Sequence, residues 1–340
     1  MKEIALLTAQ YFQQVDPPSL SLPDGPALVN PTVQSAIYEN MFNEDTAWPL
    51  PRAPYQTRVL KNIIARIEES IIDPEEDEIL DSLMEKWTSL LSTPKLSALE
   101  EAQKLTYIRY SAPVAFSPVP ESSSEYDGTI DRRTIITSEN RSLILSAGTT
   151  GFRTWEAALH LGTFLSTTSA GNSLVATKRV LELGAGTGFL SFLCAKHLGA
   201  ESVIVTDREP ALIERIDDCI GKNGLKRTQI QAGIWEWGMP LQVPSLFEDT
   251  GRVEFDIALG ADLIYDSDIV PLLVSTIKDL FENYSVKEFI IAATVRNEDT
   301  FRTFLHACGK LFPLLSSQLR LEEVPHPFSS PFSSFLSVNV

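Results

Sequence analysis

Three glycines follow an apolar segment of the chain at a spacing that suits the binding of a nucleoside. The sequence VLELGAGTG places Gly184, Gly186 and Gly188 directly after the strand-like residues 180–183 and before an amphipathic helical pattern. Glycines at such a strand-to-helix turn let a ligand approach the bare backbone. The pattern is GxGxG and not the dinucleotide fingerprint GxGxxG, because Phe189 stands at the place of the last glycine.

Two acidic residues near this loop indicate which nucleoside would bind. Asp207 ends the next strand-like segment, SVIVTD, where a carboxylate can accept hydrogen bonds from both hydroxyls of a ribose. Glu182 precedes the loop, where it would repel a pyrophosphate but tolerate a sulfonium cation. We therefore predict that the loop binds S-adenosylmethionine. A dinucleotide and a purely structural glycine turn are the alternatives.

Two tryptophans follow the third strand-like segment, in the sequence GIWEWG. An indole at this point could cover one face of the adenine. Trp237, which precedes a glycine, is the better candidate, while Trp235 is the other residue that could fill this role. The alternative for Trp237 is a tryptophan of the hydrophobic core.

A carboxylate and a phenol follow the fourth strand-like segment, in the sequence FDIALGADLIYDSD. Asp262 and Tyr265 are separated by two apolar residues and stand where the methyl group of the donor would project. Enzymes that methylate the amino groups of nucleobases or glutamine usually carry two prolines here, and this sequence has none. The alternative for Asp262 is a cap of the helix that begins near Asp266.

The elements that must position these residues alternate between strand and helix patterns from Thr134 onward. This alternation predicts an α/β fold with a mainly parallel sheet, helices on both of its faces and a ligand at the carboxyl ends of the first strands. The pattern begins with RTIIT and RSLILS and a helix at Thr154–Leu165. It ends with strand candidates near Gln318–Val324 and Phe335–Val340.

The first 125 residues have a different pattern, with apolar stripes at helical spacing. The stripes predict helices over residues 1–15, 57–72 and 79–91 and a further one near Ser97–Arg109, whereas the prolines of Asp16–Pro31 predict irregular structure. A segment rich in Pro and Ser, Ala112–Gly128, predicts a linker. We therefore expect an N-terminal helical domain over residues 1–125, which docks the substrate or braces the sheet, and a catalytic domain over residues 126–340.

Composition limits the partners and the compartment. The net charge of −17 and the pI near 4.7 argue against direct binding of nucleic acid or of an anionic membrane surface. Three well-separated cysteines and four scattered histidines indicate neither disulfides nor a metal site, so we expect a reducing, cytoplasmic location and no metal. An acidic run over residues 68–85 is interpreted as a solvated face, with a docking surface for a basic partner as the alternative.

These motifs resemble the seven-β-strand lysine methyltransferases that act on non-histone proteins. The resemblance lies in the GAG loop, Asp207, the Trp-Gly pair after the third strand and the D-x-x-Y motif after the fourth. Within that group, the segment Ser142–Leu161 and the opening LLTAQYFQQVDPPSL are similar to the branch that methylates a lysine of translation elongation factor 2. The resemblance covers the chain well from about Arg133 to the end, and loosely before that point.

The resemblance implies a Rossmann-like seven-stranded methyltransferase sheet with an N-terminal helical extension. It also implies elongation factor 2 as the partner, and we expect the protein to be a monomer. Carried over residue by residue, it places seven residues at the donor: Trp155, Gly184, Ala185, Gly186, Asp207, Trp237 and Ala261. The other residues agree with those chosen from the sequence itself, whereas Trp155 is added by the resemblance, since spacing alone leaves it as a buried helix residue.

The expected reaction transfers a methyl group from a sulfonium to a lysine amine, which must first lose its proton because a free lysine has a pKa near 10.4. An apolar channel and the adjacent sulfonium lower that pKa. We expect Asp262 to orient the amine and Tyr265 to form a wall of the channel. The alternatives are methylation of another protein or a small molecule on the same fold, and a noncatalytic donor-binding adaptor.

Overall fold

The computed structural model describes residues 2–75, 77–94, 97, 100, 104–111, 133–140, 150–241, 253–311, 320–323 and 333–339. The chain divides into two compact units. The first comprises Met1–Ser111 with Ser138–Leu143, and the second comprises Ala112–Thr137 with Ile144–Val340. The predicted linker Ala112–Gly128 and the strand predicted at RSLILS lie outside the described residues.

Helices build the first unit. Their bounds are α1 Lys2–Phe12, α2 Gly25–Val29, α3 Pro31–Ile37, α4 Ala53–Glu68 and α5 Asp81–Ser92, with a 3₁₀ turn at Pro17–Ser19 and a π-helical turn at Tyr38–Phe42. The predicted apolar stripes form the core of this unit, where Leu7, Ile63 and Leu83 are fully buried. The three helices predicted over residues 1–15, 57–72 and 79–91 are thereby confirmed.

Two predictions for the first unit are wrong in part. The stretch Asp16–Pro31 is not wholly irregular, because it contains α2, where the N–H of Ala27 donates to the Asp24 side chain. The helix predicted near Ser97–Arg109 is replaced at its end by β1, Thr106–Ser111. Burial alternates along β1, with Ile108 and Tyr110 inside, so a period of two and a β-branched and aromatic composition outweigh the helical pattern.

Apart from RSLILS, the strands and helices predicted by the alternating pattern are present, most of them in the second unit. β2 is Thr134–Glu139, whose last two residues belong to the first unit. The remaining strands are β3 Arg179–Leu183, β4 Ser202–Asp207, β5 Ile230–Ile234, β6 Ile257–Ala261, β7 Glu288–Thr294, β8 Arg320–Glu323 and β9 Ser333–Asn339. The helices are α6 Glu156–Thr167, α7 Ser169–Val175, α8 Phe189–His197, α9 Pro210–Lys222, α10 Val270–Asn283 and α11 Glu298–Leu311.

The seven strands form one sheet in the order β5-β4-β3-β6-β7-β9-β8. Strands β5, β4, β3, β6 and β7 pair in parallel, while β9 lies antiparallel to both β7 and β8, so only β9 is reversed among the seven. This sheet confirms the predicted Rossmann-like seven-stranded fold. Its inner strands read as continuous apolar runs because both of their faces are buried, as Leu181, Ile204 and Leu259 illustrate.

The strand order places a topological switch point between β3 and β6. The chain moves from β3 outward to β4 and β5 and then returns to the other side of β3. In the register of this pair, Leu183 lies beside Gly260. Loops that leave two such strands diverge and open a crevice at their carboxyl ends, where open α/β sheets bind ligands.

Candidate active site

A cavity of about 260 Å³ opens at the carboxyl ends of the parallel strands. Ten of the eleven residues singled out in the sequence line it: Trp155, Glu182, Gly184, Ala185, Gly186, Asp207, Trp237, Ala261, Asp262 and Tyr265. The eleventh, Gly188, lies outside the lining and precedes α8 with φ +75°. The structure therefore brings together residues that come from four different strand ends.

The glycine loop needs glycine for both backbone conformation and space. Gly184 and Gly186 both have φ +56°, in the left-handed region that side chains disfavour. A Cβ atom at Gly184 would lie 2.7 Å from Leu263 Cδ2 and 3.3 Å from Trp237 Cζ2. A Cβ atom at Gly186 would lie 3.0 Å from the carbonyl oxygen of Gly151. The loop thus brings bare backbone to the wall of the cavity.

Asp207 holds this loop in place. Its Oδ2 accepts a hydrogen bond from the N–H of Gly186 at 3.0 Å, and its Oδ1 accepts one from the N–H of Glu209 at 3.1 Å. Burial raises the pKa of the Asp207 carboxyl, and these two N–H groups oppose the rise. The carboxylate is therefore a fixed acceptor at the tip of β4, on the wall of the cavity.

Glu182 is buried beneath the loop and is bonded to the start of α8. It accepts hydrogen bonds from the backbone N–H of Ser191, at 2.9 Å, and from the Ser191 hydroxyl. Burial raises the pKa of Glu182 to about 7 despite these two donors. Ser191 is not among the residues predicted from the sequence, although a serine in the first turn of a helix is a signal for local hydrogen bonding.

The two tryptophans after β5 have different surroundings. Trp235 is 3% exposed, packs in the core and donates its indole N–H to the carbonyl oxygen of Met239 at 2.9 Å. Trp237 is only partly buried, and the Cζ2 atom of its ring lies 3.3 Å from the position of a Cβ on Gly184. Both residues line the cavity.

Asp262 stands at the cavity with a left-handed backbone, φ +54°. Its N–H donates to the carbonyl oxygen of Ala292 at 2.8 Å, and its Oδ1 accepts from the N–H of Thr294 at 2.8 Å. Its Oδ2 lies 3.4 Å from a guanidinium nitrogen of Arg296. The alternative that Asp262 caps the following helix is wrong, because α10 begins at Val270 and the carboxylate bonds to the end of β7 instead.

Burial changes the acidity of both members of the D-x-x-Y motif. It raises the pKa of Asp262, and the N–H of Thr294 and the charge of Arg296 oppose that rise. It also raises the pKa of Tyr265, whose side chain is partly exposed at the cavity. At neutral pH the phenol therefore keeps its proton.

Two guanidinium groups lie close to the Trp155 ring. Its ring centroid is 5.0 Å from Arg153 Cζ and 4.7 Å from Arg296 Cζ, and its indole N–H donates to Thr150 O at 3.1 Å. Glu156 bridges the two arginines, with Oε1 3.4 Å from Arg153 and Oε2 3.5 Å from Arg296. Neither arginine is predicted from the sequence, because the two are far apart along the chain and no local spacing links them.

The described residues hold no group of three or more His, Cys, Asp or Glu side chains that could bind a metal ion. Among the helices that the structure describes, none is long and apolar enough to span a bilayer.

Comparison with known proteins identifies the family. A family model described as lysine methyltransferase matches residues 142–310. Protein-lysine N-methyltransferase EFM3 of Chaetomium thermophilum is 42% identical over 302 residues, which is 88% of this chain and 85% of that protein. The chain belongs to this lysine methyltransferase family.

More distant relatives carry related names. Protein-lysine N-methyltransferase EFM3 of Saccharomyces cerevisiae is 30% identical and aligns with 71% of this chain and 67% of its own length. Protein-lysine N-methyltransferase EEF2KMT of Homo sapiens is 29% identical over 187 residues, or 52% of this chain and 54% of that protein. The protein is accordingly an S-adenosylmethionine-dependent protein-lysine N-methyltransferase. The residues predicted from its sequence to form the site line the cavity at the switch point, apart from Gly188.

Proposed function

We propose that the protein transfers methyl groups from S-adenosylmethionine to a lysine of translation elongation factor 2. The sequence resemblance stated above and the name of the human relative, EEF2KMT, support this substrate. The observation that supports the active site is the buried carboxylate of Asp262, which faces the same cavity as the glycine loop and the carboxylate of Asp207.

We assign the donor to the part of the cavity between the glycine loop and the end of β5. Asp207 would accept hydrogen bonds from the ribose hydroxyls, and Trp237 would cover the adenine, since its partly buried ring lies beside Gly184. The donor would lie against the backbone of Gly184, Ala185 and Gly186. Trp155 and Ala261 would flank it. Glu182 would lie near the sulfonium, whose positive charge would favour the ionised form of this carboxyl, and Gly188 would shape the turn.

The target lysine would enter beside Asp262 and Tyr265. Methyl transfer requires the amine lone pair to attack the methyl carbon while the bond from that carbon to sulfur breaks. The ammonium must therefore release a proton to solvent beforehand. A partly desolvated site next to a positive sulfonium favours that release. Asp262 would orient the amine through a hydrogen bond, and Tyr265, as a neutral phenol, would form a wall of the channel.

The wider assignments are part of the same proposal. We assign residues 1–125 to a domain that docks the protein substrate or braces the sheet, and residues 126–340 to the catalytic domain. Exposed acidic side chains of the first unit, among them Glu68, Asp73 and Glu85, would suit a basic surface of the partner. The described free cysteines Cys194, Cys219 and Cys308 are all buried thiols, in keeping with a reducing cytoplasmic compartment, and we expect a monomer that binds no nucleic acid.

The experiment that tests this function labels proteins with a radioactive methyl donor. The purified protein is incubated with labelled S-adenosylmethionine and an extract of cells that lack it, and labelled proteins are separated and mapped by mass spectrometry. We expect one band at the size of elongation factor 2, with the label on lysine. Label on another protein would overturn the substrate, and no label despite donor binding would favour the adaptor.

Two variants complete the test. Asp262→Asn should give no labelled band, because the amine loses its acceptor while the side chain keeps its shape. Asp268→Asn is the matched control, since Asp268 is an exposed acid on the same loop that does not line the cavity. Equal labelling by the two variants would remove Asp262 from the mechanism.

A further inference from the structure

Arg296 lies at the cavity and pairs weakly with two acidic residues, Asp262, which also lines the cavity, and Glu156, which does not. Its guanidinium is 3.4 Å from Asp262 Oδ2 and 3.5 Å from Glu156 Oε2. Both distances are longer than the 2.7–2.9 Å of a strong charge-assisted hydrogen bond. The Arg296 side chain is 47% exposed, so water competes for both contacts. The guanidinium is therefore held weakly and can be displaced from either partner.

Asp262, in contrast, is fixed. Its side chain is 9% exposed, its Oδ1 is held by the N–H of Thr294, and its own N–H is bonded to Ala292. Its Oδ2 faces Arg296 on the cavity side. A buried carboxylate without a cation is costly. Arg296 therefore compensates the charge of Asp262 while no other cation is present.

We propose that Arg296 is a competing cation, which pairs with both Asp262 and Glu156 in the free enzyme and keeps only Glu156 when the ammonium group of the target lysine binds Asp262. The proposal rests on the assignment of Asp262 as the carboxylate that binds lysine, and not on the identity of the protein substrate. Arg296 is a positioning residue, because it acts through Asp262.

This exchange of cations at Asp262 serves the reaction in two ways. It keeps the charge of Asp262 compensated both before and after the substrate binds, so neither state contains a buried unpaired carboxylate. After the exchange, Arg296 remains beside Trp155, 4.7 Å from its ring centroid, and its permanent positive charge lies near the amine. A neighbouring positive charge favours the neutral form of an amine, which is the form that attacks the methyl group.

The test measures the binding of a lysine side-chain analogue and does not involve elongation factor 2. n-Butylammonium is titrated into the full-length protein loaded with S-adenosylhomocysteine, and its dissociation constant is followed by NMR line broadening. The variants are R296Q, R296K and E156Q, with the double variants R296Q/E156Q and R296Q/D262N. Two matched controls carry the same charge change: R153Q, whose guanidinium contacts Trp155 and Glu156 in the same way, and R302Q, which is paired with Glu298 outside the cavity lining.

We expect R296Q to lower the dissociation constant about twofold to fivefold, the range for a partly exposed ion pair, because the competing cation is gone. R296K keeps a competing cation and stays near the wild-type value, while R302Q leaves the constant unchanged and R153Q changes it less than R296Q does. E156Q raises the constant, and this effect disappears in the R296Q background, because Glu156 acts only as the second partner of Arg296.

Four outcomes would overturn the proposal. An equal decrease of the dissociation constant in R153Q and R296Q would show that the loss of any nearby positive charge has this effect. An effect of E156Q that persists in the R296Q background would show that Glu156 binds the ammonium by itself. If R296Q lowered the dissociation constant even when Asp262 is changed to Asn, this result would show that Asp262 is not the acceptor. Absence of probe binding to every variant would show the same. None of these outcomes depends on which protein the enzyme methylates.

Discussion

Replacing Gly184 by alanine separates the two reasons for which the loop needs glycine. An alanine there must adopt φ +56°, and its Cβ would approach Leu263 Cδ2 to 2.7 Å and Trp237 Cζ2 to 3.3 Å. Gly199 is an internal control, since it has φ +70° and no heavy atom within 4 Å of the Cβ position. Gly199→Ala therefore reports the backbone cost alone, and Gly184→Ala reports that cost together with the steric conflict.

The magnitudes follow from these distances. An alanine with a left-handed backbone lowers the free energy of unfolding by about 1–2 kcal/mol at either position. Alanine also restricts the unfolded chain, which offsets a few tenths to about 1 kcal/mol of that loss. Overpacking at Gly184 adds about 1–3 kcal/mol. Leu263 and Trp237 relieve it by moving into the cavity that they line, and a ligand must reverse this movement. The affinity for S-adenosylmethionine should therefore fall about fivefold to a hundredfold in Gly184→Ala and stay unchanged in Gly199→Ala.

Two measurements check this reasoning. Isothermal titration with S-adenosylmethionine gives the two affinities, and urea unfolding followed by tryptophan fluorescence gives the two midpoints. We expect Gly184→Ala to have both the weaker binding and the lower midpoint. Equal midpoints for the two variants, together with wild-type affinity in Gly184→Ala, would refute the argument that close approach at the loop shapes the donor site.

Three further predictions concern the acids and the indole of the site. Asp262→Asn should lower kcat/KM at least about a hundredfold with little loss of donor affinity, whereas Asp268→Asn should keep both, as measured by methyl transfer and calorimetry. The pKa of Glu182 is raised to about 7, so the folded state binds more protons than the unfolded state between about pH 4.5 and 7, and stability should fall as the pH rises through this window. In Glu182→Gln the free energy of unfolding should no longer fall with pH in this way. The difference, at most about 3 kcal/mol over the window, is measured by urea unfolding from pH 4 to 8. Trp155→Ala should weaken donor binding, whereas Trp48→Ala, which removes a half-exposed indole of the first unit, should not; unchanged binding in both would exclude Trp155 from the donor site.

Local patterns made the fold and much of the site predictable. The buried strands read as short apolar runs ended by glycine or acid, and parallel strands collect these ends at one edge of the sheet. Residues such as Gly184, Asp207 and Asp262 could therefore be assigned to one cavity from the sequence. Spacing alone left Trp155 as a helix residue, so its place at the cavity came from the family resemblance.

What sequence reasoning missed depends on contacts between distant parts of the chain. Arg153 and Arg296 approach the same Trp155 ring only in the folded chain, and no periodicity of the sequence encodes this shared contact. β1 was mistaken for a helix because its apolar residues are too few to distinguish a period of two from a period of 3.6. The partner of Glu182 was missed because Ser191 stands nine residues further along the chain, in the helix that follows the loop.

The left-handed backbone at Asp262 has a consequence for how this active site can change over time. Aspartate and asparagine are the side-chain-bearing residues that tolerate this conformation best, and of the two only aspartate carries a charge. A glutamate would have to take up a turn that disfavours it and also reach the N–H of Thr294 with a longer arm. The main chain therefore restricts the acid to one residue type. An exchange of Asp262 for asparagine is the shortest route by which a relative could lose the reaction while keeping the turn, the sheet and the cavity.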